Sequence, residues 1–98
     1  MATRKREPRY VVVCTDKRGV FAGVLESGGL GEAVLTEVRN CIYWSKDVGG
    51  VLGLSASGPS ASCRIGAASP RLTLNGVHAV MDCSQEARAA WIAAPVYK

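Results

Sequence analysis

Tyr10-Val11-Val12-Val13-Cys14-Thr15, then Asp16-Lys17-Arg18-Gly19, then Val20-Phe21-Ala22-Gly23-Val24-Leu25-Glu26 is the stretch that decides the fold class. A β-branched run, a cluster of turn residues and a second apolar run predict a β-hairpin. Working outward, Ser27-Gly28-Gly29-Leu30-Gly31 reads as a flexible connection, and Glu32 to Val38 alternates polar with apolar residues. The alternation puts Val34, Thr36 and Val38 on one strand face and Leu35 and Glu37 on the other. A third strand continues to Cys41-Ile42-Tyr43-Trp44, with room for a break at Arg39-Asn40, which completes a three-stranded antiparallel meander.

Past Trp44 the pattern changes. Asp47 is placed to cap a short helix, Val51 and Leu54 repeat at helical spacing, and Gly58-Pro59 supplies the stop; a glycine-rich loop is the alternative. Ser62 to Ile65 is a short strand, and Arg71 to Leu74 and Val77 to Cys83 are extended pieces with a hairpin signal, Asn75-Gly76, between them. Ser84 caps a final helix in which Ala87, Trp91 and Ala94 share a face and Pro95 is the end. Trp91 is expected to staple that helix to the sheet. The fold class predicted is mostly β with short helices: a small antiparallel barrel of about five or six strands with a C-terminal helix. The strands are expected near residues 10–15, 20–26, 32–43, 62–66 and 71–83.

A chain of 98 residues has room for one core. Residues 10–98 are therefore one domain, and residues 1–9 form a basic arm. With one Phe, two Trp and three Tyr, that core must be built from Val, Leu, Ile and Ala, which again favours sheet. The charged fraction of 20% is slightly low for a globular surface and points to self-association through exposed strand edges. The net charge of +4 belongs mostly to the arm, where Arg4, Lys5, Arg6 and Arg9 face only Glu7. Such an arm either contacts phosphate or keeps a terminus solvated.

No window holds the roughly 18 apolar residues of a membrane span, and no apolar signal core follows the basic start, so an intracellular protein is expected. Cys14, Cys41, Cys63 and Cys83 are separated by 26, 21 and 19 residues, which is not zinc-ligand spacing. Free thiols without metal or obligatory disulfide are expected, three of them in apolar strand-like runs.

Little in the chain suggests catalysis. Gly53 to Ser60 has the glycine spacing of a phosphate-binding loop, but Pro59 stands where the lysine is required. Ser55, Ser57, Ser60 and Ser62 remain as hydroxyls for an anion-holding concavity, with a helix cap and loop as the alternative. His78, the only histidine, has no recognisable nucleophile motif beside it, and the acidic residues show no paired spacing. The best candidate is Arg39-Asn40-Cys41-Ile42-Tyr43-Trp44-Ser45-Lys46, since aromatic rings interleaved with Arg, Asn and Lys suit a base and its phosphate. The alternative for this stretch is a core strand. Arg64 adds a second cation. The ligand-binding set expected is thus Arg39, Asn40, Tyr43, Trp44, Lys46, Ser57, Ser60 and Arg64, with no cofactor and no metal.

Several segments together resemble a family of small phage and prophage proteins of unknown function. They are Arg9-Tyr10-Val11-Val12-Val13, Arg18 to Leu25, Arg39 to Trp44, Gly49 to Leu54, Gly58-Pro59 and Arg64-Ile65-Gly66. The strand order and the turn entering Gly19 to Ser27 also resemble the opening of an Sm-like barrel, and Cys63-Arg64-Ile65-Gly66 resembles its arginine-glycine element. Where the Sm family places acidic and asparagine residues for RNA, this chain has Ser27 to Gly31, which sets uridine-type recognition aside. These resemblances imply an oligomeric, non-catalytic, phage-encoded accessory protein in the cytoplasm of a bacterial host. It would act in counter-defence, sequestering a nucleotide-type signal or blocking a host defence protein. An Sm-like DNA- or RNA-binding module and a virion or assembly component are the alternatives.

Overall fold

The computed structural model describes residues 9–16 and 19–97; the basic arm before Arg9 and the turn residues Lys17 and Arg18 lie outside them. Strands β1 (Tyr10–Thr15), β2 (Val20–Gly28) and β3 (Gly31–Tyr43) form the predicted antiparallel meander. Strand β4 (Arg64–Ile65) adds to the C-terminal end of β3. The long β5 (Ser69–Asp82) pairs first with β3 and then with β1. Because β2 also pairs β3, the ladders β1–β2, β2–β3, β3–β5 and β5–β1 close into a four-stranded ring, with β4 outside it. Helix α1 (Val51–Ala56) follows a single 3₁₀ turn at Lys46–Val48, and α2 (Gln85–Ala93) follows β5. No helix among the described residues is long and apolar enough to cross a membrane.

All of β1 is buried because it serves two cores. Val11 and Val13 pack with Ala33, Leu35, Val38 and Val77 inside the ring. Tyr10, Val12 and Cys14 point the other way and are covered by Leu54 of α1 and by Ala87 and Trp91 of α2. A strand covered on both faces reads as an unbroken apolar run rather than an alternation, which is what VVV at its centre supplies. Trp91 performs the expected staple: it is fully buried and its indole Nε1 donates to the Leu54 carbonyl at 2.9 Å. The Ser84 cap is also present. Its hydroxyl accepts from Ala87 N at 2.9 Å and donates to the Ala56 carbonyl at 2.7 Å, tying the start of α2 to the end of α1.

Bulges account for most departures from simple alternation. On β2, Ala22 pairs Arg39 and Val24 pairs Thr36, so Gly23 faces both Glu37 and Val38. A Cβ on Gly23 would lie 2.8 Å from the Thr36 carbonyl, which requires glycine there. Glu37 takes a left-handed backbone, φ 51, and the extra residue turns Val38 into the ring beside Ala33 and Leu35. Val38 therefore does not share a face with Val34 and Thr36, and β3 bends here without the break allowed for at Arg39-Asn40.

The expected hairpin at Asn75-Gly76 is also corrected. Residues 71–74 and 77–82 belong to one strand, and Gly76 is an unpaired extra residue between the pairs Glu32↔Asn75 and Gly31↔Val77. Its φ of +69 is the left-handed geometry that the Asn-Gly signal encodes, but its carbonyl accepts from Asp16 N at 2.9 Å as β5 leaves β3 for β1. The fourth strand is shorter than residues 62–66. Asp47 lies in the 3₁₀ turn, and the N-cap of α1 is Gly50.

Candidate functional site

A third bulge shapes the surroundings of Arg64, an exposed cation of the region. Cys41 pairs Ile65 and Tyr43 pairs Arg64, which leaves Ile42 as the extra residue. Side chains at 39 and 41 point inward, and without the bulge Tyr43 would follow them; with it, Tyr43 emerges at 47% exposure. On the other side of β4, Ile65 forms a parallel bridge to Val96, and Tyr97 N donates to the Ile65 carbonyl at 2.9 Å. Tyr97, 49% exposed, is thereby set against Arg64. The Arg64 guanidinium lies 5.4 Å from the Tyr43 ring centroid and 5.1 Å from that of Tyr97. Each exposed cation–π contact contributes about 0.5–1 kcal/mol, enough to hold the cation between the rings without burying it.

Arg39, the other arginine of the predicted cluster, is held inside the protein at 6% exposure. Its Nε donates to the Gly66 carbonyl at 2.8 Å, and its Nη1 donates to the Trp91 and Ala94 carbonyls at 2.8 and 2.6 Å. The last two are carbonyls at the C-terminal end of α2, a helix with no basic residue in its own last turn. Arg39 thus supplies from β3 the positive charge that a helix C-terminus favours.

The remaining expected residues are dispersed. Asn40 and Lys46 are exposed, the latter in the 3₁₀ turn just beyond β3. Trp44 packs against the helix-covered core and lines a groove with Cys14, Val20, Val51 and His78, whereas its neighbour Tyr43 meets Arg64. Ser57 ends α1, and Gly58 at φ +86 donates its N–H to the Gly53 carbonyl at 3.1 Å. The phosphate-loop glycine spacing is therefore a helix C-cap. His78 Nε2 lies 3.1 Å from the Thr15 carbonyl oxygen.

Ser60 belongs to a network built on a carboxylate. Ser45 Oγ donates to Asp47 Oδ1, and Ser60 Oγ donates to the same oxygen at 3.1 Å. Cys63 Sγ sits 3.9 Å from Ser45 Oγ and 3.7 Å from Ser60 Oγ. Partial burial opposes ionisation of Cys63, but its contacts with Ser45 and Ser60 outweigh that and hold the thiol below its ordinary range. Burial pushes Cys41 up to about 12, with the nearby Cys63 adding to the effect. All four cysteines are free thiols. An anion at Ser60 would meet the Asp47 charge, so this network does not make the concavity that the serine spacing suggested.

Sequence reasoning missed Tyr97, Asp47 as the centre of the serine network, and Cys63. Tyr97 is two residues past Pro95, and its partner strand lies far back in the sequence at Arg64–Ile65, so alternation carried no signal of the contact. No curated protein and no solved structure matches this chain. A family described as "Domain of unknown function (DUF6948)" matches residues 8–91, from just before β1 to Trp91 in α2, and the chain belongs to that family.

Proposed function

We propose that this chain is a non-catalytic binding module whose Tyr43–Arg64–Tyr97 face takes a nucleotide-type ligand. The observation that carries the reading is a guanidinium placed between two half-exposed tyrosine rings. A base stacked on such a ring gains about 1–3 kcal/mol, and an arginine beside it offers paired donors to a phosphate. Lys46 is a further exposed cation at the end of β3. The wider role, counter-defence by a phage-encoded protein that sequesters a nucleotide signal, rests on the sequence resemblance to phage and prophage proteins. An oligomer of Sm-like barrels rests on the same kind of ground.

The exposure of both rings also suits a single nucleic-acid strand running across them. Titration of the wild-type protein and Tyr97→Ala with ATP and with a short single-stranded deoxyoligonucleotide tests both readings. Binding of either probe, weakened about 5- to 150-fold in Tyr97→Ala, is expected from the loss of one stacked base. Binding of the oligonucleotide alone, with steep salt dependence, favours the strand. Failure of both probes, or equal affinity in the folded variant, contradicts the proposal.

A further inference from the structure

Beside the C-terminal end of α2 lies a cleft of about 330 Å³ with Tyr10, Glu37, Arg39, Ile92, Ala94 and Val96 in its wall and Ala68 at its exposed rim. Arg39 is the unusual member. It is a buried cation whose acceptors, the carbonyls of Gly66, Trp91 and Ala94, are all neutral. Its second terminal nitrogen, Nη2, is buried with no hydrogen-bond partner among the described residues. The ion pairs among the described residues are Arg9–Asp82 and Arg71–Glu26, so no carboxylate is in direct contact with Arg39, and Glu37 shares the cleft wall without pairing with it. Buried donors are paired in the great majority of cases, and a buried charge without a counter-charge calls for an anion.

We infer that this cleft binds a small amphiphilic carboxylate, its anionic group drawn to the Arg39 guanidinium and Tyr10 in the cleft wall and its apolar body lying on Ile92, Ala94 and Val96. Tyr10 stays protonated, and so remains a donor, because burial pushes its hydroxyl up to about 12. The volume, near the lower end of the roughly 300–1,000 Å³ of ligand pockets, limits the guest to a small molecule. Charge selects a monoanion: Glu37 shares the wall, and its carboxylate repels a phosphate dianion more than a single carboxylate.

Octanoate and 1-octanol, matched in chain length and differing in charge, are the probes. Titration of the ¹⁵N-labelled protein is followed at the Arg39 Nε–H and at the backbone amides of Tyr10, Ile92 and Val96. Octanoate is expected to give saturable shifts confined to these groups, and octanol to bind about 10- to 100-fold more weakly for want of a charge-assisted hydrogen bond. Ala68→Trp, a substitution at the exposed rim, is expected to block binding while leaving the spectrum folded, and Glu37→Gln to tighten it. Equal affinity for the two probes, no saturable shift, or undiminished binding by folded Ala68→Trp overturns the inference.

Discussion

The surroundings of Arg39 and those of Arg64 lie on the paired strands β3 and β4, and each combines an arginine with two aromatic residues. Around Arg39 the partners are the buried Trp91 and Tyr10, and the guanidinium donates through Nε to the Gly66 carbonyl and through Nη1 to carbonyls that end α2. Around Arg64 the partners are Tyr43 and Tyr97, both half exposed, and the guanidinium lies over their faces. The same residue types thus make a structural clasp in one place and an open surface in the other. What separates them is strand parity: the bulge at Glu37 leaves Arg39 facing the helices, and the bulge at Ile42 turns Tyr43 outward.

The widest gap between the two regions should appear on truncating their aromatic residues. Trp91→Ala removes a fully buried side chain and is expected to cost about 3–5 kcal/mol, a large share of the total stability of so small a domain. Tyr97→Ala should cost less than about 1 kcal/mol. Denaturant midpoints of the two variants decide this, and similar losses would erase the distinction. Replacing the cations is the next test. Arg39→Met strands three carbonyls and should cost on the order of 3 kcal/mol, while Arg64→Met should stay within about 1 kcal/mol.

Alkali should act through the closed region. The Tyr10 hydroxyl is raised from 10.0 to about 12 and the Cys41 thiol from 9.0 to about 12, both chiefly by burial. The unfolded chain therefore releases these protons first, so their contribution is complete below about pH 9 and falls as pH rises toward 12. Unfolding free energy measured across that window should decline, and Tyr10→Phe should flatten the part above about pH 10. A flat profile in the wild-type protein would show that neither group is buried as described.

The local elements were legible in the sequence, and the long-range ones were not. The VVV run, the pairing of β1 with β2, the Ser84 cap and the Trp91 staple depend on near neighbours or on one large apolar side chain, and each is found where it was expected. Ring closure is different, because it requires β5 to continue through Asn75-Gly76, and the left-handed preference of that pair serves a bulge as well as a hairpin. Of the candidate site, Tyr43 and Arg64 were named from residue type and do meet. Arg39 looked equivalent to Arg64 because alternation does not reveal that a helix end 52 residues later needs its charge. Tyr97 comes into place through a single bridge to β4.

The smallest contrast is one of reactivity. Cys63, half-buried and held below the ordinary thiol range, should be alkylated by iodoacetamide at neutral pH faster than buried Cys41, whose thiol stays protonated to about 12. Peptide mapping after brief labelling checks the order, and Cys63→Ser should remove the fast phase.

The division between clasp and open face is tested most directly by the affinity of Arg64→Ala for whichever nucleotide probe the wild-type protein binds, measured on a variant with an unchanged denaturant midpoint. The account predicts binding weakened by about tenfold or more, as loss of a charge-assisted contact implies. Unchanged affinity in that folded variant would contradict it, because the Arg64 face would then bind nothing.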